Sequence, residues 1–456
     1  MEIMATTNER GVRAADSNTG PMREQNASGN ARSRIYRKVD IRILGFLAVC
    51  YITAYIDRIN ISFAKLAMQS DLGWNEAVYG FGAGIFFLGY MAFEVPSNLW
   101  LTRIGARLTL SRIMVLWGLT SVAMMFATDI TTFYVLRFFL GVFEAGFSPG
   151  MLFCLTRWYP EARMARAMAM LLCAGPVGAV IGGPVSTLIM TQLSGAYGLT
   201  GWQWLFLLEG LPAVLLGVVL FFTLCERPAD AKWLSADEKA ILLSELGSAP
   251  RAASRHTAFR EVLKDPRIYA MAFSYFAIIC GLYAVSFWLP TLLRGAGVKN
   301  LLHIGALTAL PYLAAIVAMQ VIGRRSDKRS ERRLHSAIAL LLSAAALTAT
   351  VVAGDRFVVA MVALVAATAL MYSAYAVFWA IPADYLKGDV AAGGIALINS
   401  IGLFGGFVSP TIIGWIKNET GSLQAGLMVM VALFVAGAIV LLANRVDAKK
   451  WSAAAS

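Results

Sequence analysis

Residues 227–246 read RPADAKWLSADEKAILLSEL, and they sit inside 226–266, the one long hydrophilic interruption in an otherwise apolar chain. Pro228 and the run Ser235-Ala-Asp-Glu238 predict the start of an amphipathic surface helix, because a cap serine and a glutamate three residues on satisfy two orphan backbone donors. On either side the sequence turns apolar for long distances. A membrane-crossing helix needs ~20 mostly apolar residues to span a ~30 Å hydrocarbon core. Six candidates precede the interruption, at 41–64, 78–101, 110–128, 131–156, 166–190 and 202–225. Six follow it, at 268–293, 301–322, 336–354, 356–385, 392–416 and 424–444. The expected fold is an all-α membrane protein with 12 transmembrane helices in two six-helix bundles, 35–225 and 266–445, joined by a linker at 226–265. The leader 1–34 is polar, so no cleavable signal peptide is expected and helix 1 is the first inserted segment. That leader is read as disordered, and 446–456 as a polar tail.

Composition agrees. Of 456 residues, 58% are apolar and 14% charged, against roughly 25% charged in soluble proteins, which argues against a soluble multidomain enzyme. A formal charge of +12 would raise the question of nucleic acid in a soluble protein. Here the basic residues sort by side. With the N-terminus inside, 32 of the 39 Lys and Arg fall on inside segments and 5 on outside loops, namely Lys65, Arg294, Lys299, Arg356 and Lys417. Arg58 and Arg137 remain within helices. Such a bias places both termini in the cytoplasm, makes the charge excess topological, and leaves no nucleic-acid partner expected. Cys50, Cys154, Cys173, Cys225 and Cys280 lie in apolar runs without metal-like spacing, so neither disulfides nor a metal site is expected.

Within each half the same element follows the second helix: NLWLTRIGAR at 98–107 and GRRSDKRSERR at 323–333. Both put basic residues around a tight turn between helices, an internal duplication of a kind common in secondary transporters. This layout resembles the major facilitator superfamily, whose loop pattern is roughly G-x-x-x-D-R/K-x-G-R/K-R/K. The second copy matches at Gly323, Asp327, Lys328, Arg332 and Arg333. The first keeps Arg103, Gly105 and Arg107, but Asn98 and Thr102 replace the Gly and Asp. By that resemblance Arg103, Gly105, Arg107, Gly323, Asp327 and Lys328 are gating positions, though the missing acid weakens the first loop as a charge-relay latch.

Ionisable groups at membrane depth cost at least ~2.5–3.5 kcal/mol on insertion scales, so each needs a partner or a task. Helix 1 carries Asp57 and Arg58 in YIDRINISFA (55–64); helix 4 carries Arg137 and Glu144 in LRFFLGVFEAGFSPGM (136–151). A seven-residue spacing is two helical turns, which puts Arg137 and Glu144 on one face ~10 Å apart. Counting depth at 1.5 Å per residue, Asp57, Arg58 and Arg137 can share one layer with Glu144 nearer the middle, so two acids and two bases are expected to neutralise one another. One reading is a salt-bridge cluster that only orients two helices. The other is functional: a carboxylate beside an arginine stays ionised, and gains a proton when the arginine turns to a substrate anion. Glu94 is read as a helix-end or gate contact, Glu209 is equally ambiguous, and Asp384 faces a loop. His256, His303 and His335 lie in loops or at span edges, away from any proton relay.

These strings, with FEVPSNL (93–99), WQWLFLLEGLPA (202–213), the linker RPADAKWLSADEK (227–239) and INSIGLFGGFVSP (398–410), are similar to the anion:cation symporter branch of the superfamily. That branch includes bacterial permeases for sugar acids, tartrate and phthalate. The resemblance runs from about Tyr36 to Asn444. It implies proton coupling at Asp57 and Glu144, and carboxylate binding or gating at Arg58 and Arg137. It also implies that Asn399 faces a central cavity and bonds substrate. The second half offers no deep charge between 268 and 322, so its contribution is polar and aromatic: Tyr283, Ser286 and Trp288 before Pro290, then Tyr372, Tyr375 and Trp379. Tyr55 and Tyr90 hold comparable positions in the first half. The 40 glycines cluster in helices 4, 5 and 11, where close packing explains them. GPVGAVIGGP (175–184) only partly resembles the antiporter pattern of drug exporters.

The expected function is proton-coupled uptake of an organic carboxylate by alternating access at the inner membrane. The protein would act as a monomer in the lipid bilayer, with protons and a small organic anion as partners and no cofactor beyond the proton gradient. An organic anion exchanger of the same fold is the alternative; it predicts central arginines from both halves, and only the first supplies them. A membrane enzyme would need a buried nucleophile and base or a metal cluster, and a receptor a sizeable soluble domain. The strings FWAIPADYL (378–386) and INSIGLFGGFVSP lean toward a tartrate-like hydroxy acid or an aromatic carboxylate such as phthalate over a hexuronate-type sugar acid.

Overall fold

The computed structural model describes residues 30, 32–247, 262–329, 331–354, 356–386 and 389–444. Twelve helices among them are long and apolar enough to cross a membrane. They are α1 Arg32–Leu72, α2 Glu76–Ile104, α3 Ala106–Phe126, α4 Ile130–Thr156, α5 Glu161–Gln192 and α6 Gly201–Thr223, then α7 Pro266–Gly295, α8 Leu301–Arg329, α9 Arg332–Val352 and α10 Phe357–Tyr385. The last two are α11 Asp389–Thr420 and α12 Leu423–Ala443. Helices are the natural outcome, because in lipid each backbone donor and acceptor must be satisfied inside its own segment. Where helices begin, side chains cap the orphan donors: Asn75 Oδ1 accepts from Val78 N at 2.9 Å, Asp129 Oδ1 from Thr132 N at 2.9 Å and Ser422 Oγ from Ala425 N at 3.2 Å.

The packing repeats itself. In the first half α1 packs on α5 and α6, α2 on α4, and α3 on α6; each pair recurs six helices later, as α7 on α11 and α12, α8 on α10, and α9 on α12. Across the halves α2 meets α11, α5 meets α8, and α1 meets α7. Small residues permit this approach: Gly80 faces Gly414, and Gly183 faces Gly305, with no room for a Cβ at either contact.

Between the halves, Ser235 and Glu238 form the capping box expected from the sequence, with Glu238 N donating to Ser235 Oγ at 3.2 Å and Ser235 N to Glu238 Oε2 at 3.0 Å. The resulting linker helix, Ala236–Leu246, lies against the first half. Tyr36 Oη donates to Glu245 Oε2 at 2.7 Å, Lys38 Nζ to Glu238 Oε1 at 2.6 Å, and Trp233 stacks on Trp158 with ring centroids 5.5 Å apart.

Several helices depart from the anticipated bounds. The chain is helical from Arg32, inside the leader expected to be disordered; residues 1–29 and 31 lie outside the described residues, as do 248–261 of the linker, with His256, and the tail 446–456. α1 runs to Leu72, where Gly73 turns left-handed with φ 68°, so Lys65 belongs to the helix and not to a loop. α8 runs to Arg329, which makes Gly323, Asp327 and Lys328 helical. α4 is broken into Ile130–Glu144 and Phe147–Thr156. Gly146 carries the break at φ 87°, a conformation costly for any residue with a Cβ; a Cβ there would also collide with the Ser97 side chain.

Candidate functional site

Asp57 and Arg58 are neighbours in sequence, but successive helical residues are rotated by about 100°, so they face different helices. Arg58 turns toward α4 and α7. Its Nη2 makes an ion pair with Glu144 Oε1, the side chains being 12% and 2% exposed, and its Nη1 donates to Tyr283 Oη at 3.1 Å. Asp57 turns toward α3, where Trp117 Nε1 donates to Oδ2 at 2.6 Å and Ser121 Oγ donates to Oδ1. Asn60 Nδ2, one turn along α1, adds a bond to Oδ1 at 3.0 Å. Arg137 is fully buried and directs its bonds to backbone: Nε donates to Gly82 O at 3.0 Å and Nη2 to Ala83 O at 3.3 Å. The single mutually neutralising cluster expected from the sequence is therefore divided. Among the described residues Glu144 makes its ion pair with Arg58, while Arg137 donates to α2 carbonyls and Asp57 accepts from neutral donors. Phe86 links the arginines, its ring lying 5.5 Å from the Arg58 guanidinium carbon and 5.4 Å from that of Arg137.

Arg58 and Tyr283 already join the two halves, and other expected residues do the same. Tyr55 Oη and Tyr372 Oη share a hydrogen bond of 2.5 Å between α1 and α10. Asn399 Nδ2 donates to Glu94 Oε1 at 3.1 Å, so the amide expected to bond substrate bonds a carboxylate of the opposite half. Trp379 interrupts α10 between Phe378 and Ala380 and packs edge-on against Tyr275, centroids 4.8 Å apart. Tyr90 is buried on α2 beside Phe86 at 6.1 Å. A separate hollow of about 440 Å³, lined by Met91, Tyr269, Phe273, Phe276, Ser400, Ile401 and Phe404, is almost wholly apolar and offers no charge to an anion.

At the end of the bundle away from the termini a second charged group closes the halves together. Lys65, 1% exposed, reaches Glu76 Oε2 at 2.7 Å and donates to Thr291 Oγ1 at 3.0 Å. Its ammonium also lies 4.0 Å from the Trp288 ring centroid and 4.5 Å from that of Tyr79. Lys417 of α11 pairs with the other oxygen of Glu76. Tyr79 Oη donates to Phe287 O at 2.7 Å and Arg294 Nη1 to Leu66 O at 2.8 Å. The sequence places Lys65, Lys417 and Arg294 in outside loops and does not mark Glu76; in the structure all three cations lie on helices. The signal that could have found them is the uninterrupted helical pattern after Phe63, which carries Lys65 inward.

At the termini end, Gly105 ends α2 with φ 86°, and Glu226 caps α3 by accepting from Ala106 N at 3.2 Å and Arg107 N at 2.8 Å. Arg103, Arg107 and Lys328 are exposed. Asp327 Oδ1 accepts from Arg332 Nη1 at 2.5 Å, and Arg332 Nε donates to Asp384 Oδ2 at 2.9 Å. Among the described residues no group of three or more His, Cys, Asp and Glu could hold a metal ion.

Residues 47–410 match the Major Facilitator Superfamily. The chain is 44% identical over 411 residues to a putative metabolite transport protein, NicT, of Pseudomonas putida, covering 90% of this chain and 94% of that protein. It is 43% identical over 417 residues to a putative tartrate transporter of Agrobacterium vitis, covering 91% and 95%. Among solved structures, a bacterial homologue of the human lysosomal transporter Spinster, inward-facing and occupied, superposes with a TM-score of 0.73 at 17% identity over 89% of this chain and 97% of that one. The duplicated six-helix packing, the twelve spans and these matches agree, and the chain belongs to the Major Facilitator Superfamily of membrane transporters.

Proposed function

We propose that the protein takes up an organic carboxylate together with a proton, by alternating access between its two six-helix halves, in the cytoplasmic membrane with both termini inside. Arg58 carries the reading. It lies where the halves meet, bonded to Glu144 on its own side and to Tyr283 on the other. Strong bidentate partners for a guanidinium are carboxylates, so an incoming carboxylate competes with Glu144 for Arg58. A released Glu144 is left buried without its ion-pair partner, and a proton then neutralises it. Anion binding and proton loading are thereby linked at one arginine, and both halves are engaged when Tyr283 shares it. Arg137 holds α4 against α2 and keeps Phe86 under both guanidiniums. Tyr55, Tyr90, Trp379 and Asn399 are the further groups assigned to the substrate path, and the motif residues at 103–107 and 323–328 to gating at the inner face. The transporters of Agrobacterium vitis named for tartrate favour a hydroxydiacid within the carboxylate class.

The test uses proteoliposomes with an imposed proton gradient and labelled L-tartrate, after a thermal-shift screen against hydroxydiacids, aromatic acids and sugar acids. The wild type accumulates the acid uphill. Glu144→Gln loses uphill accumulation and keeps counterflow exchange; undiminished accumulation by that variant overturns the assignment.

A further inference from the structure

The closed end away from the termini holds more hydrogen-bond donors than acceptors. Lys65 and Lys417 both make their ion pairs with Glu76, one on each oxygen. Arg294, exposed at the same end, makes no ion pair among the described residues and donates to the backbone oxygen of Leu66, the residue after Lys65. Trp288 packs among these groups, its ring centroid 4.0 Å from the Lys65 ammonium and 5.8 Å from that of Lys417. It is fully buried, yet its Nε1 has no hydrogen-bond partner. An indole N–H can only donate, and a buried donor without an acceptor is costly.

Donors and acceptors divide unequally between the halves. The acceptors Glu76 and Leu66 O belong to the first half, whereas Lys417, Arg294 and the Trp288 indole belong to the second. Parting the halves at this end therefore takes Glu76 from Lys417 and the Leu66 carbonyl from Arg294. The second half is left with two cations and an indole N–H. Its neighbouring acid, Glu419, accepts from Asn418 Nδ2 at 3.3 Å and forms an ion pair with neither cation. A carboxylate is an acceptor-only group whose two oxygens can serve an ammonium and an N–H together. It supplies to Lys417 the oxygen that Glu76 withdrew, and to the Trp288 N–H the acceptor that the closed form lacks.

We propose that Lys417 and the Trp288 indole N–H, with Arg294 at the rim, form a capture site for the substrate carboxylate at this end of the second half. Glu76 covers the site in the closed form, and the incoming anion occupies it when the halves part. Glu76 returns to Lys417 as the anion moves on to Arg58, so closure and inward transfer are one exchange of carboxylates. The proposal rests on the carboxylate-uptake reading and adds a site ahead of Arg58.

The test is fluorine NMR of the purified full-length protein carrying 5-fluorotryptophan, with the Trp288 resonance identified by its loss in Trp288→Phe. Acetate, the simplest carboxylate, and L-tartrate are titrated in place of chloride at constant ionic strength. In Glu76→Gln, where the cover is weakened, both are expected to shift the Trp288 resonance to saturation. Adding Lys417→Gln is expected to weaken the apparent affinity by about tenfold or more, the loss of one charged hydrogen bond. The exposed Arg294→Gln is expected to weaken it less, and the remaining tryptophan signals verify that each variant is folded. Adding Arg58→Ala is expected to leave the response in place, because it disables the central site alone. A Trp288 resonance that stays still in Glu76→Gln, responds equally without Lys417, or loses its response with Arg58→Ala overturns the capture site. If both anions shift Trp288 while L-tartrate is not accumulated uphill in proteoliposomes, the uptake reading falls and the capture site stands. Uphill accumulation with a silent Trp288 gives the reverse.

Discussion

Glu76→Gln is the most informative perturbation of the closed end. Glu76 is the one carboxylate shared by Lys65, from its own half, and Lys417, from the other. The Gln side chain keeps the shape and one acceptor but loses the charge. Hydrogen bonds to charged groups contribute about 1.5–3 kcal/mol each. Of the two Glu76 contacts, that to Lys65 stays within one half and that to Lys417 crosses between the halves. At 22% exposure for Glu76 and 19% for Lys417, solvent screens part of it, and we take about 1.5–2 kcal/mol. At 1.4 kcal/mol per factor of ten, the ratio of closed to open forms at this end falls about ten- to thirtyfold. Lys65 meanwhile keeps Thr291 and the Trp288 ring, so the helix ends stay packed. Spin labels on cysteines placed at Ser70 and Glu419, both exposed and in opposite halves, report the gap by pulsed electron resonance in a background lacking Cys173 and Cys225. Wild type should show a single short distance, and Glu76→Gln a second, longer population. Lys417→Gln should give the same shift, and the double variant less than the sum of the two. Unchanged distances in both single variants would refute the latch.

Two further outcomes follow from the termini end. Glu226→Ala removes the carboxylate that caps the first amides of α3, and a lost cap costs about 0.5–2 kcal/mol, to be read as a lower melting temperature with uptake retained. The linker helix should undock in acid. The Lys38 ammonium, together with the Ser235 amide, holds the Glu238 carboxyl below the ordinary carboxylate range. A depressed folded value means that the stabilisation is present above the unfolded value of 4.5 and is lost as pH falls through the folded one. Hydrogen exchange in 236–246 should therefore rise only below that range, and Lys38→Met should flatten the pH response.

What the sequence disclosed depended on how local the cause was. Twelve spans were readable because apolar blocks separated by basic turns are a composition effect. The Ser235–Glu238 box was readable because its partners lie three residues apart. The break in α4 was not, because in the sequence Gly146 is one more packing glycine and its positive φ and the Ser97 side chain of α2 against it are tertiary features. Lys65 reads as a loop charge from the sequence because its burial depends on Glu76, Thr291 and Trp288, which only the assembled halves bring together. The four charges expected within the helices do lie there, but not in one mutually neutralising cluster. A layer argument fixes depth along each helix but not azimuth, and the rotation of about 100° between Asp57 and Arg58 turns one toward α3 and the other toward α4 and α7.

The docked linker helix changes how the two halves are mechanically connected. The hydrophilic interruption at 226–266 suggests a long slack cord, but its first portion is fastened to the first half through Glu245, Glu238 and Trp233. The docked portion extends to the end of the linker helix at Leu246. A protein divided into two co-expressed pieces should therefore be cut beyond that residue, since a cut at 226 would strip the first bundle of a strut that belongs to it.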